Sequence, residues 1–118
     1  MEKLIINRKT WLHGDSKNSL LLRDDNKMCC LGFYAIFKGY TEDEILGFAE
    51  PAQLDDCGDK FSSLVTFSDY DNNYHPNGIC YQLMHINDNS NITDKEREIR
   101  LISEFKEIDI ELEFVGEY

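Results

Sequence analysis

The chain has 118 residues, of which 42% are apolar and 12% aromatic, and its 12 Lys plus Arg against 23 Asp plus Glu give a formal net charge of −11. This length and apolar content predict one domain, residues 1–118, with one core, and exclude a chain disordered throughout. The longest apolar run, Cys29 to Phe37 broken by Gly32, is far short of the roughly 20 residues of a membrane span, and Met1 to Arg8 lacks the apolar stretch of a signal peptide, so a cytoplasmic protein without membrane contact is expected.

Taken in chain order, Leu4 and Ile6 alternate with Lys3 and Asn7, which predicts a short strand over Lys3 to Asn7. Turn formers crowd the stretch from Arg8 to Asn18, read as a loop anchored by Trp11, and Ser19 to Arg23 is a second strand candidate. Asp24-Asp25-Asn26 supplies turn and cap chemistry before a buried helix from Met28 to Lys38, ended by Gly39 at the position that favours a left-handed backbone. Gly32 lowers helix propensity by up to about 1 kcal/mol relative to Ala, so its place there implies the close approach of another element.

Thr41-Glu42-Asp43-Glu44 has the form of a capping box and opens a short helix through Phe48, which Pro51 prevents from continuing. Between Ala52 and Gly78 the pattern gives one strand candidate, Leu64-Val65-Thr66-Phe67, among acidic loops. Ile79, Cys80, Leu83, Met84 and Asn87 mark one face of a helix. Thr93 to Glu96 is a second capping box, followed by a helix whose apolar face is read as Ile99, Leu101, Ile102, Phe105 and Ile108. Ile110, Leu112 and Phe114 then alternate with Glu111, Glu113 and Val115 as a half-buried strand. A helix returning directly to a strand predicts an α+β domain, a small antiparallel sheet of about three to four strands packed on three to four helices.

The charge is unevenly distributed. Bases outnumber acids before Gly39, whereas residues 39–92 hold a single base, Lys60, against Glu42, Asp43, Glu44, Glu50, Asp55, Asp56, Asp59, Asp69, Asp71 and Asp88. Nucleic-acid affinity rests largely on neutralising phosphate with Lys and Arg, so direct DNA or RNA binding is not expected. Carboxylates on one surface can instead enter a basic groove of another protein, although solubility alone also favours negative surfaces.

Chemistry-bearing motifs are sparse. Cys29 and Cys30 are adjacent, and neighbouring Cα atoms about 3.8 Å apart disfavour a mutual disulfide; no C-x-x-C pair announces zinc. Cys29, Cys30 and Cys80 are read as core residues rather than nucleophiles paired with His75 or His85. Asp69-x-Asp71-x-Asn73 starts like a calcium loop but has Tyr74 and Cys80 where that loop needs Gly and Glu. No catalytic residue, metal or cofactor is assigned. Trp11, His13, Arg8 and Asp15 mix an aromatic platform with charge and mark the preferred small-ligand site, while Trp11 also suits a structural role at the edge of the core.

Lys9-Thr10-Trp11-Leu12-His13-Gly14, Leu20-Leu21-Leu22-Arg23 and Asn26-Lys27-Met28-Cys29-Cys30-Leu31-Gly32-Phe33, with Ile86-Asn87-Asp88 and Glu113-Phe114-Val115, form a pattern that resembles a family of short proteins of tailed bacteriophages and prophages. Asp55 to Asn77 lies outside the pattern, and the resemblance brings no catalytic residues to carry over. It implies a bacterial host setting, in which small acidic phage proteins often inhibit host defence, as anti-CRISPR and anti-restriction proteins do. Two expectations follow. The first is an inhibitor that binds a host protein with a basic surface, such as a nuclease, through Glu42, Asp43, Glu44, Asp55, Asp56, Asp59, Asp69 and Asp71. The second, an alternative, is a module that sequesters a nucleotide-like molecule through Arg8, Lys9, Trp11, His13 and Arg23, or else a structural or accessory phage protein.

Overall fold

The first strand, β1 (Glu2–Asn7), buries Leu4 and Ile6 and exposes its other residues, as the alternation requires. The computed structural model describes residues 1–15, 19–49 and 79–118, apart from the side chains of Cys80 and Tyr81. The strand candidate Leu64 to Phe67, the acids Asp55, Asp56, Asp59, Asp69 and Asp71, and His75 lie outside the described residues. A short 3-10 turn (Arg8–Thr10) follows β1, with the Asn7 side chain accepting from the Lys9 N–H.

Helix α1 (Cys30–Phe37) is buried along Cys30, Leu31, Gly32, Tyr34 and Ala35. A Cβ on Gly32 would stand 1.8 Å from the Leu21 carbonyl oxygen, so the glycine permits the backbone approach that its presence in a helix implies. At the far end, Gly39 has φ 105°, and N–H groups of Gly39 and Tyr40 donate to the Ile36 and Ala35 carbonyls at 3.1 and 3.0 Å. This is a Schellman termination, the expected left-handed stop. Helix α2 (Glu42–Ile45) has the full capping box: Thr41 Oγ1 accepts from the Glu44 N–H, and the Glu44 carboxylate accepts from the Thr41 N–H. It stops at Ile45 rather than Phe48, because Gly47 and Phe48 turn back to share backbone hydrogen bonds with Leu22 and Leu21.

Helix α3 (Ile79–Asp88) buries Leu83, Ile86 and Asn87. Helix α4 (Asp94–Lys106) is capped by Thr93, but the second box is half made, since the Glu96 carboxylate pairs with Arg100 at 2.6 Å. Its inward stripe is Arg97, Leu101 and Phe105, four residues apart. Ile99 and Ile102, expected inside, are 58% and 39% exposed. They lose the inner face because the helix turns the 97, 101, 105 row towards the core, and Arg97 occupies a place the apolar pattern could not assign to a charge.

Asp109, at φ 66°, reverses the chain into β2 (Ile110–Val115), whose Ile110, Leu112 and Phe114 point inward. β2 pairs with β1 in parallel, from Glu2 opposite Ile110 to Asn7 opposite Val115. The expected antiparallel sheet of three to four strands is therefore incorrect; the described residues form a two-stranded parallel sheet. Alternation sets which side chains face the core, but strand direction depends on how the chain re-enters after its crossover, here from the first strand to the last. Ser19 to Arg23 is not a strand either. Leu21 and Leu22 are both buried, and the segment makes one isolated bridge, Leu22 to Leu46. Four α-helices are found among the described residues, with α1 packed on β1 and α4 on β2. No helix among them is long and apolar enough to cross a membrane.

Candidate functional site

The early loop is built around Trp11, which is 3% exposed and donates its indole N–H to Asn87 Oδ1 at 2.8 Å. The same oxygen accepts the Cys30 N–H at 3.1 Å, capping α1 from a distant segment where Cys29 offers no side-chain cap. Asn87 Nδ2 donates to the Leu12 carbonyl at 2.9 Å and to Asp88 Oδ1 at 3.0 Å, and the Asn87 carbonyl accepts from Gly14 N–H. One buried amide thereby ties the loop to α1 and α3. Burial raises the Asp88 carboxyl pKa, against hydrogen bonds from Asn87 and Ser19 that favour its charged form.

His13 stacks on Trp11 with ring centroids 4.1 Å apart and lies against Tyr118 at 5.4 Å. Its Nδ1 faces the Trp11 carbonyl at 3.0 Å and its Nε2 faces Asp94 Oδ1 at 3.4 Å. That carboxylate also receives Arg97 Nη1 at 2.5 Å, while Arg97 Nη2 donates to the Asn89 and Ile92 carbonyls. Arg97 is 2% exposed, and its Nε has no hydrogen-bond partner among the described residues.

Arg8, expected beside Trp11 as a ligand group, is committed elsewhere. Its guanidinium forks onto Glu98 at 2.9 and 2.8 Å and donates to the Gly116 carbonyl, with Phe114 and Tyr118 rings within 5.9 and 5.6 Å. Burial opposes ionisation of Glu98, but hydrogen bonds from Arg8 and Tyr118 prevail and lower its pKa. Desolvation and the hydrogen bond to Glu98 push the Tyr118 phenol up to about 12. Arg8 and Tyr118 border a separate open groove of about 410 Å³ with Lys95, Glu98, Gly116 and Glu117. Lys9 is exposed and lines neither space.

Trp11, His13 and Arg23 do meet, around a cavity of about 250 Å³ completed by Leu12, Asp15 and Lys27. Arg23 and Lys27 face each other across a tight turn, with Arg23 N–H donating to the Lys27 carbonyl at 2.8 Å and Asn26 at φ 67°. Asp25 fixes this turn by accepting Arg23 Nε and Nη2 at 2.9 and 2.5 Å and the Lys27 N–H at 3.3 Å. The Arg23 guanidinium holds the Asp25 carboxyl down to about 2. Sequence reasoning missed Lys27 because its inward placement depends on the turn, and missed Asn87 as a hub because a lone asparagine on a helix has no local signature.

Of the acidic group, Glu42, Asp43 and Glu44 are exposed at the start of α2, Glu44 being engaged in its capping box. Asp55, Asp56, Asp59, Asp69 and Asp71 lie outside the described residues. Cys29 and Cys30 are buried, and burial pushes the Cys29 thiol up to about 12, which keeps it protonated and unreactive at neutral pH. Among the described residues no group of three or more His, Cys, Asp or Glu is arranged to hold a metal ion. Comparison with protein-family models, with curated proteins and with solved structures gives no match for this chain.

Proposed function

We propose that the protein acts by binding another protein through its acidic surface, as an inhibitor of a nucleic-acid-handling protein, such as a nuclease, in a bacterial cytoplasm. The supporting observation is the disposition of the arginines. Arg8, Arg23, Arg97 and Arg100 are each held by a carboxylate of the same chain, Glu98, Asp25, Asp94 and Glu96 respectively. Glu42 and Asp43, in contrast, are exposed and form no ion pair among the described residues. At each arginine a nucleic-acid backbone would meet a cation whose charge a carboxylate already balances, whereas a basic protein surface meets carboxylates already facing water. Overall charge of −11 would speed encounter with such a partner by electrostatic steering. The inhibitory role and the host target rest on the resemblance to phage proteins and on charge together.

The test is capture of partners from bacterial lysate by the tagged protein at low and high salt, followed by affinity measurement with the recovered partner. Reversal of Glu42 and Asp43 to Lys, alone and with Asp55, Asp56, Asp59, Asp69 and Asp71, should weaken binding by at least about tenfold, and raised salt should do the same. Circular dichroism of the variants separates lost binding from lost folding. Affinity that survives both the reversals and high salt would remove the acidic-surface reading.

A further inference from the structure

The cavity beside the Trp11–His13 stack is a preorganised recess that an acidic protein-binding surface does not require. One wall is the turn from Arg23 to Lys27. Because Asp25 takes Nε and Nη2 of Arg23, the guanidinium is fixed in one orientation, and Nη1 makes no hydrogen bond among the described residues. Lys27 makes no ion pair among them. Two cations on one tight turn can therefore meet an anion without giving up an existing bond, which distinguishes Arg23 from Arg8, whose fork and Nη1 are all in use.

The opposite wall is rigid for a different reason. Trp11 is pinned by Asn87, and His13 is pinned by its stack on Trp11 and by its contact with the Trp11 carbonyl, so both lining residues are held in place before any ligand arrives. Asp15 adds a carboxylate to the lining. At about 250 Å³ the space is just below the usual range for drug-sized ligands, about 300 to 1,000 Å³, and it opens to solvent, so it encloses part of a ligand of that size. Asp25, Asp24 and Asp15 act on Arg23 at close range and offset part of its charge, which leaves Lys27 as the main cation of the site, while charges beyond about 8 Å are screened at physiological ionic strength.

We infer that this cavity is a binding site for a small anion carrying a planar ring, of the nucleoside monophosphate class. The phosphate lies against Lys27 and Arg23 Nη1, and the ring lies beside His13 and Trp11. Two charge-assisted contacts give the anion its place, and the aromatic side chains distinguish a nucleotide from bare phosphate.

Titration of the isotopically labelled full chain with nucleoside monophosphates, and separately with inorganic phosphate, tests this by NMR. Trp11 is the one tryptophan of the sequence, so its indole N–H signal reports on the cavity without ambiguity. The nucleotide should shift that signal and the amides of Arg23 to Lys27. Lys27→Ala should weaken binding by about tenfold, as expected for loss of a charge-assisted contact, while Lys9→Ala, outside the lining, should leave it unchanged. Inorganic phosphate should bind at least about tenfold more weakly. Absence of shifts at about 10 mM nucleotide, phosphate binding as tight as the nucleotide, or equal effects of the Lys27 and Lys9 variants would each overturn the assignment. Lys27 is a partly exposed turn residue whose side chain makes no hydrogen bond among the described residues, so the variant should keep its fold; the amide spectrum checks this directly.

Discussion

Asn87 uses both lone pairs of its amide oxygen and both hydrogens of its amide nitrogen inside the protein, on Trp11, Cys30, Leu12 and Asp88. Removing it strands two buried donors, the Trp11 indole N–H and the Cys30 N–H, each costing about 1 to 3 kcal/mol when left without a partner, and a partly buried carbonyl of Leu12. Asn87→Ala should therefore lower unfolding free energy by about 2 to 4 kcal/mol in urea titrations, and should expose the Trp11 indole N–H to faster hydrogen exchange. A loss below about 0.5 kcal/mol would mean that water or a rearranged loop replaces the amide. Residues from the first third of the chain meet around this hub: Trp11, Gly14 and Cys30 bond to Asn87, and Met28 bridges to Trp11. Trp11 is thus a structural anchor, one of the two roles its sequence context suggests. Its hydrogen-bond partner lies 76 positions away, which no local reading could supply.

Among the elements, α4 shows where periodicity is informative and where it is ambiguous. Its start at Thr93 and its length follow from the cap and the apolar spacing, but Ile99, Leu101 and Ile102 compete for the inner face. The structure resolves the competition in favour of Leu101, with Arg97 and Phe105 above and below it on the same row. Leu101→Ala should cost about 2 to 5 kcal/mol through lost burial and a cavity, whereas Ile99→Ala should stay within about 0.5 kcal/mol of the parent, both by chemical denaturation. Comparable losses at the two sites would show that Ile99 is covered in the folded chain. Likewise, the C-terminal end of α1 and the start of α2 were legible because Gly39 and the Thr41 capping box act within a few residues. The parallel pairing of β1 and β2 was not, since the same alternation serves either direction.

For the molecule as a whole, charge works in two opposed ways. Exposed ion pairs such as Lys3 with Glu113 contribute at most about 1 kcal/mol each and weaken in salt. Repulsion among 23 carboxylates facing 12 bases opposes compaction and is also screened by salt. The excess of one sign makes repulsion the larger effect, so the melting temperature should rise by a few degrees, about 1 kcal/mol in stability, between about 10 and 150 mM sodium chloride. A melting temperature that falls with salt would instead place the ion pairs, led by Arg8 with Glu98, above the repulsion.

By itself the sequence determined the strand at each end of the described fold, four helical segments, the burial of Cys29 and Cys30, and the polarised charge, because all of these depend on composition or on contacts a few residues apart. The tertiary structure decided the rest. It set β1 parallel to β2, turned Leu101 inward and Ile99 outward, withdrew Arg8 into a fork with Glu98, and gathered Trp11, His13, Asp15, Arg23 and Lys27 around one cavity. Each of these depends on where distant segments meet, and that is fixed by the joint packing of the core and by hydrogen bonds such as those of Asn87, which leave no periodic trace along the chain.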